Sequence, residues 1–263
     1  MSLSISELGD SFTTVQEMLP KVIGILLVVI IIICAWKGFK KGIIMGVVGV
    51  LVFILSLFGA QLLSDTFSYE VIPVLKPFVS GYAESRVEET AFMVFGFEPD
   101  VNGEYHVSRS LSDLIEEQPD ARFDISDLVY RGLGFYSTIA DDMAQKTVTY
   151  AEQNNADLPS SVTAILCQSV TWYGGFLIAF ILLFAALTVA VNLLNLSFRI
   201  PYIGIINDLG GLCIGVFTGF LFCALVVWVL QFTGILIPEQ LLSESGLAGW
   251  FLDKNLLVNY ITF

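Results

Sequence analysis

The feature that most constrains this chain is an apolar run from Val22 to Leu63. Three lysines interrupt it: Lys37, Lys40 and Lys41. As one helix at about 1.5 Å per residue, its 42 residues would be roughly 60 Å long, about twice the hydrocarbon core of a bilayer. A lysine at the centre of a spanning helix costs about 2.5 to 3.5 kcal/mol. The run is therefore predicted to form two spans, about Val22–Trp36 and Gly42–Leu63, which turn at the lysines.

Two more apolar stretches lie near the C-terminal end, at Gly174–Leu194 and Leu209–Phe232, and neither contains a charged residue. Each is long enough to cross a bilayer as a helix. Because 56% of residues are hydrophobic, 14% are charged and the mean hydropathy is +0.79, the composition is that of an integral membrane protein. The predicted fold is an all-α polytopic membrane protein with four transmembrane helices in two hairpins, at residues 21–64 and 164–234.

Positive charge beside the spans predicts the orientation. The topology determinants lie in the two hairpin turns: Lys37, Lys40, Lys41 and Arg199. The positive-inside rule places both turns in the cytoplasm. The N-terminal segment (1–20), the C-terminal segment (235–263) and the insertion between helices 2 and 3 (65–163) are then extracytoplasmic. A secretory signal peptide is disfavoured, because no positive region precedes the first apolar run and lysines follow it.

The insertion at 65–163 is acidic, with 18 Asp or Glu against 6 Lys or Arg between Asp65 and Asp157. Apolar residues recur at helical spacing between Ile125 and Gln153, so we expect the insertion to be mainly helical. The segment 235–263 contains Pro238 at a favourable helix start and is rich in Leu, Trp and Phe. It is predicted to be an amphipathic segment in the outer interface.

Glycines form stripes on two of the predicted spans. The helix-packing candidates are Gly38, Gly42, Gly46 and Gly49 before and within the second span, and Gly211, Gly215 and Gly219 on the fourth. Faces of small residues let helix backbones approach closely in lipid, where packing drives association. Tight packing of a four-helix bundle is the simplest interpretation. A substrate path and a homo-oligomer interface are the alternatives.

A few polar residues mark a possible site at the cytoplasmic ends of the last two spans. Asn192 and Asn195 share one side of the third span with Thr188, and Asp208 precedes the fourth. Ionisable residues within spans are functional candidates. A carboxylate at a helix start also caps free N–H groups and interacts favourably with the helix dipole, which is the structural interpretation of Asp208.

Motifs for chemistry are missing from the sequence, so no catalytic, cofactor-binding or metal-binding residues are predicted. The single histidine, His106, has no second His or Cys at ligand spacing. No GxSxG, HExxH or GxxxxGK[ST] motif occurs. The four cysteines are interpreted as small packing residues, because the acidic insertion has none. A net charge of −13 disfavours nucleic acid as a partner.

Several of these segments resemble the colicin V production protein (CvpA) family of bacterial inner-membrane proteins. WKGFKKG precedes a glycine-rich span, and Gly38, Phe39 and Gly42 match a family pattern. A second set matches the family's later signature: Pro201, Gly204, Gly210, Gly211, Gly215 and Gly219. The chain departs from many members by having Leu19-Pro20-Lys21 where an Asp begins the first span, and by its long insertion. The resemblance implies a cytoplasmic-membrane protein of toxin production or export and envelope homeostasis, without established catalysis.

Three hypotheses follow. The first is a non-enzymatic accessory or scaffold protein, embedded in the lipid bilayer, whose outer insertion meets an envelope or secretion protein. The second is a small transporter or channel, suggested by Asn192, Asn195 and Asp208. The third, a membrane enzyme, has no support from a catalytic constellation in the sequence.

Overall fold

The structure is a computed structural model that describes residues 5–101, 105–193, 204–234, 237–254, 257 and 261. Eight α-helices occur in this part of the chain: α1 (Ile5–Val94), α2 (Leu111–Glu117), α3 (Ala121–Gly132), α4 (Ser137–Asn154), α5 (Leu158–Leu193), α6 (Gly204–Leu230), α7 (Glu239–Glu244) and α8 (Gly246–Lys254). The same residues contain no strand, which confirms the predicted all-α class.

Three helical segments are long and apolar enough to cross a membrane: Met18–Ser68, Leu158–Leu193 and Ile205–Leu230. Their length and composition are those expected for the membrane class that the sequence predicted. The first has 51 residues. At about 1.5 Å per residue it would measure roughly 77 Å if straight, more than twice a bilayer's hydrocarbon core of about 30 Å.

The first segment is divided at one residue. Gly42 has φ 77° and ψ 178°, a backbone conformation that is essentially restricted to glycine, and the residues on both sides of it are helical. The prediction of a short loop at Lys37–Lys41 is therefore wrong in detail. The lysines belong to the end of the preceding helix, because a long lysine side chain can extend to the interface while its backbone stays helical.

Contacts with α6 show that the chain reverses direction at Gly42. Before Gly42 the paired residues run in opposite sequence order: Leu27 with Cys223, Ile31 with Gly219, and Gly38 with Gly211. After Gly42 the paired residues ascend together: Ile43 with Asn207, Gly46 with Ile214, and Phe53 with Phe222. We call residues 18–41 the first arm of α1 and residues 43–61 its second arm. The two arms are antiparallel.

The helices begin and end differently from the predicted spans. α1 continues from the second arm to Val94, α5 begins at Leu158 rather than Gly174, and α6 begins at Gly204 rather than Leu209. Pro238 stands immediately before α7. The fixed φ of proline favours a helix start, as the sequence predicted. The C-terminal segment forms two short helices, and Phe251 of α8 packs against Phe220 of α6 with ring centroids 5.7 Å apart.

The chain divides into two compact units. Unit 1 comprises Met1–Gln61 and Ile178–Thr262, and unit 2 contains Leu62–Leu177. Unit 1 therefore holds both arms of α1, the later part of α5, and α6 to α8. Its buried side chains are mainly apolar, among them Leu27, Phe53 and Trp228.

Unit 2 is built on amphipathic helices with a mixed core. Tyr130 of α3 is fully buried, and its hydroxyl lies 2.6 Å from Thr147 Oγ1 of α4 and donates to the carbonyl of Val162 at 3.3 Å. α2 begins at a side-chain cap, in which Ser110 Oγ accepts from the Asp113 N–H at 3.2 Å. Trp172 on α5 donates from Nε1 to Asp65 at 2.6 Å, and Ser64 donates to the Trp172 carbonyl. Polar side-chain contacts thus connect α1 and α5 within this unit.

Candidate functional site: a glycine crossing and a cavity with a basic mouth

The first arm of α1 crosses α6 at a line of glycines. A Cβ at Gly38 would lie 2.8 Å from Gly215 Cα and closer still to the Gly211 carbonyl oxygen. A Cβ at Gly219 would lie 2.8 Å from Ile31 Cα. Real side chains do not tolerate such distances, so the two backbones approach to a separation that only glycine permits.

At the turn, an asparagine from α6 completes the second arm. Asn207 Oδ1 accepts a hydrogen bond from the Ile43 N–H at 3.0 Å, and Asn207 is only 9% exposed. The first N–H groups of a helix have no partner within the helix, and Gly42 has no side chain to cap them. Asn207 therefore acts as an N-cap supplied from a distant part of the chain. A Cβ at Gly42 would overlap this side chain, with Asn207 Cγ 2.8 Å away.

The other predicted glycines differ in their surroundings. A Cβ at Gly46 would lie 3.1 Å from the Ile214 side chain, which is a tight side-chain contact rather than a backbone one. A Cβ at Gly49 would meet nothing within 4 Å. The stripe that looks uniform in the sequence thus contains backbone contacts at Gly38, a reversal at Gly42 and open space at Gly49.

Gly49 faces a cavity of about 370 Å³ within unit 1. Its walls come from both arms of α1 and from the facing parts of α5 (residues 184–192) and α6 (residues 215–222). The rings of Phe184 and Phe222 line one end and meet edge to face, with centroids 5.3 Å apart. The apolar walls and aromatic end make this part of the cavity suitable for a hydrocarbon group.

The opposite end of the cavity is polar and basic. Lys37 and Lys41 line it within five residues of the turn at Gly42, and Asn192 lines it one residue before α5 ends at Leu193. Thr188 lies one helical turn deeper. Among the lining residues no carboxylate occurs, and within the described part of the chain neither lysine forms an ion pair. We call this end the basic mouth.

The third lysine of the turn has a different position. Lys40 Nζ lies 5.0 Å from the centroid of the Trp36 ring, a cation–π geometry, and Lys40 does not line the cavity. The three lysines look equivalent in the sequence. The helix directs two of them to the basic mouth and the third against an aromatic ring.

The structure brings together only some of the predicted polar residues. Asn192 lines the cavity with Lys37 and Lys41. Asp208 does not line it, and because α6 begins at Gly204, Asp208 lies one turn inside the helix and is not its N-cap. The interpretation of Asp208 as a cap is wrong for this reason. Asn195 and Arg199 lie outside the described residues.

Asn207 was not among the predicted site residues, but the structure shows that it caps the second arm of α1. Its sequence signal was an amide side chain at the start of an apolar helix, next to the more conspicuous Asp208. The partner, Ile43, is 164 residues away, so no local pattern indicates the contact.

Charged residues of unit 2 form surface ion pairs. Arg131 contacts Asp127 at 2.7 Å and Asp141 at 2.8 Å, and Lys146 contacts Asp142 at 2.8 Å. Burial raises the pKa of the Asp127 carboxyl above its usual value, although its hydrogen bond to Arg131 opposes that change. Burial also raises the pKa of Tyr130 above its usual value. Asp141 and Asp142 are thus both engaged in ion pairs at the surface.

The described residues contain no group of three or more His, Cys, Asp or Glu side chains that could hold a metal ion. His106 Nε2 lies 3.1 Å from an Asp100 carboxylate oxygen on an exposed surface. The four cysteines are free thiols at positions 34, 167, 213 and 223.

Comparison with known proteins gives one match. The family model of the colicin V production protein matches residues 132–255, slightly less than half of the chain. This match supports the resemblance stated from the sequence and covers α4 to α8, while the Gly38-Phe39 motif lies outside it. The searches of curated proteins and of solved structures found no match.

Proposed function

We propose that this relative of the colicin V production protein family is a non-enzymatic accessory or scaffold protein of the bacterial cytoplasmic membrane, with a role in producing or exporting a colicin V-like toxin and in envelope homeostasis. The family match at residues 132–255 carries the proposal. The name of that family refers to production of a toxin and not to a reaction, which favours an accessory role over an enzyme.

The proposed topology has four spans in two hairpins. The reversal at Gly42 supports it, because it divides a 51-residue apolar helix into two antiparallel arms. Lys37, Lys40 and Lys41 precede the reversal directly, so the positive-inside rule places this turn in the cytoplasm. Both termini and residues 65–163 are then extracytoplasmic.

The topology is tested by labelling single cysteines in intact cells. In a variant that lacks the four native thiols, a cysteine introduced at exposed Glu116 should react with a membrane-impermeant maleimide, and one at Lys40 should not. Labelling at Lys40 with protection at position 116 would reverse the proposed orientation.

The proposed partner is an envelope or secretion protein that meets the acidic surface of unit 2. Asp141 and Asp142 are engaged in ion pairs, so they are poor choices for testing this surface. Glu116, Asp120 and Asp124 are exposed, and no ion pair of theirs occurs among the described residues. The triple variant Glu116→Gln/Asp120→Asn/Asp124→Asn therefore removes three charges while leaving the observed ion pairs intact.

Two measurements test the role. In a toxin-producing strain, deletion of the gene should reduce secreted toxin activity and the wild-type gene should restore it. In native membranes, crosslinking and mass spectrometry should capture an envelope or secretion protein with the wild type and less of it with the triple variant, at equal amounts of folded protein. Unchanged toxin secretion in the deletion strain contradicts the toxin role, and equal capture by the triple variant contradicts the acidic docking surface.

The cavity favours one alternative, a small transporter or channel. Its basic mouth and the polar side chains of Thr188 and Asn192 offer a path for a small anion. Reconstituted protein would then move an anion across a liposome membrane under a gradient, and the variant Lys37→Gln/Lys41→Gln would move it more slowly. Absence of flux for every anion tested would remove this alternative.

A further inference from the structure

We propose that the cavity of unit 1 binds an anionic phospholipid, with one acyl chain between the arms of α1 and the phosphate at the basic mouth. This inference is independent of the toxin role, because it rests on the shape and charge of the cavity. The two ends of the cavity differ in chemistry as the two ends of such a lipid do.

The length of the cavity matches one leaflet. Its lining on the first arm extends from Ile30 to Lys41. Eleven residues of helix at about 1.5 Å each give roughly 16 Å, and half of a hydrocarbon core of about 30 Å is close to that length. The lysines at one end of this distance are where lipid phosphates lie, and the apolar part is where acyl chains lie.

The wall chemistry favours a hydrocarbon chain over water. Ile30, Ile33 and Val52 contribute aliphatic side chains, and Phe184 and Phe222 provide the aromatic end. An apolar chain that replaces water here gains the free energy of apolar burial. Gly49 leaves the space open, because a larger side chain there would extend into the volume that the chain occupies.

The charge at the mouth selects an anion. Lys37 and Lys41 lie on the same helical face, four residues apart, with no carboxylate among the lining residues that the structure describes. Asn192 and Thr188 add amide and hydroxyl groups that can donate to phosphate oxygens. A zwitterionic lipid would bring its own cation close to two lysines, which disfavours it.

The test uses the full-length protein in detergent and native mass spectrometry, with equimolar dioleoyl phosphatidylglycerol and dioleoyl phosphatidylcholine. We expect one retained phosphatidylglycerol per chain in preference to phosphatidylcholine. A basic residue near an anionic lipid is worth about fivefold in affinity, so Lys37→Gln/Lys41→Gln should weaken phosphatidylglycerol binding about 30-fold.

The matched control is Lys40→Gln. Lys40 carries the same charge on the same turn, but it lies against the Trp36 ring and outside the cavity. It should change phosphatidylglycerol retention less than twofold. If Lys40→Gln weakens phosphatidylglycerol binding as much as Lys37→Gln or Lys41→Gln alone, the basic turn attracts anionic lipid in general. That result would overturn the proposed site.

A second variant tests the acyl chain and separates a lipid from free phosphate. Gly49→Leu should fill the cavity and reduce phosphatidylglycerol retention at least tenfold although both lysines remain, while Gly174→Leu, at another open glycine position outside the cavity, should not. Gly49→Leu should elute as the wild type does on size exclusion. Full retention of phosphatidylglycerol by Gly49→Leu, its displacement by inorganic phosphate alone, or equal retention of the two lipids would each overturn the proposal.

Discussion

The two units hold their helices together in different ways. In unit 1, α1 and α6 meet through backbone at Gly38, Gly211 and Gly215. In unit 2, helices meet through side chains, as in the Tyr130–Thr147 hydrogen bond, and surface ion pairs accompany them. In lipid, apolar burial gives little net gain between helices and close packing must replace it, whereas in water amphipathic helices associate by burying one face. The contrast between the two units is of the kind that these two environments favour.

The largest effect is expected when a single methyl group is added where α1 crosses α6. Gly38→Ala places a Cβ 2.8 Å from Gly215 Cα, so the helices must separate, and we expect a loss of about 3 kcal/mol. Gly49→Ala on the same helix meets nothing within 4 Å and should be neutral or gain up to about 1 kcal/mol. Unfolding in detergent, followed by tryptophan fluorescence, measures both. Equal stability of the two variants would show that backbone contact does not hold unit 1 together.

The second test compares one glycine from each unit at similar positive φ. Gly42→Ala should cost about 2 to 3 kcal/mol, because it combines the cost of φ 77° with overlap of the Asn207 side chain. Gly96 in unit 2 has φ 79°, and a Cβ added there would meet nothing within 4 Å. Gly96→Ala should therefore cost about 1 kcal/mol. Thermal unfolding of both variants gives the difference. Equal losses would assign the whole cost to backbone conformation and none to Asn207.

The third test removes the cap. Asn207→Ala leaves the Ile43 N–H without its acceptor at a partly buried position, and we expect a loss of about 1 to 2 kcal/mol. Asn207→Asp keeps an acceptor oxygen and should retain more stability than the alanine variant at a pH where the carboxylate is ionised. Hydrogen exchange at Ile43 reports the contact directly. Unchanged protection of that amide in Asn207→Ala would contradict the capping role.

The smallest effect is expected in unit 2. Tyr130→Phe removes a buried hydroxyl, while Thr147 Oγ1 keeps its bond to the Met143 carbonyl at 2.9 Å. Because Thr147 Oγ1 keeps this bond and the Val162 carbonyl loses only a long contact of 3.3 Å, the loss should be about 1 kcal/mol. Chemical unfolding, compared with that of Tyr150→Phe at a partly exposed position, measures it. A loss as large as that of Gly38→Ala would remove the distinction between the two units.

The sequence predicted the features that depend on local composition. The apolar runs gave the helical membrane segments, and the lysines gave the region of the turn, because hydrophobicity and charge act over a few residues. Local pattern placed the start of the second span at Gly42, but it did not show that the lysines continue the first helix, since a helix tolerates lysines that extend to the interface. It also gave no sign of the contact between Ile43 and Asn207. The glycine stripe was visible, but whether Gly38 meets a backbone and Gly49 meets open space depends on α6 and α5.

The cavity was beyond sequence reasoning for a related reason. Lys37, Lys40 and Lys41 have the same chemistry, and only the helical phase and the neighbouring helices separate the two at the mouth from the one against Trp36. Asn192 was identified as polar near a helix end, but its proximity to the lysines requires that α5 pack beside α1. Asp208 was predicted as a site residue because it is charged. Its amide neighbour Asn207 is the residue that contacts Ile43.

The cap on Ile43 also sets an order of events during biosynthesis. Asn207 follows Ile43 by 164 residues, and a ribosome that adds about 5 to 20 residues per second needs roughly 10 to 30 s to reach it. During that interval both arms of α1 have been made, but the amide at their turn has no acceptor from α6. The N-terminal hairpin therefore acquires its final geometry only when α6 arrives, and the earliest part of the chain to be made is among the last to be completed.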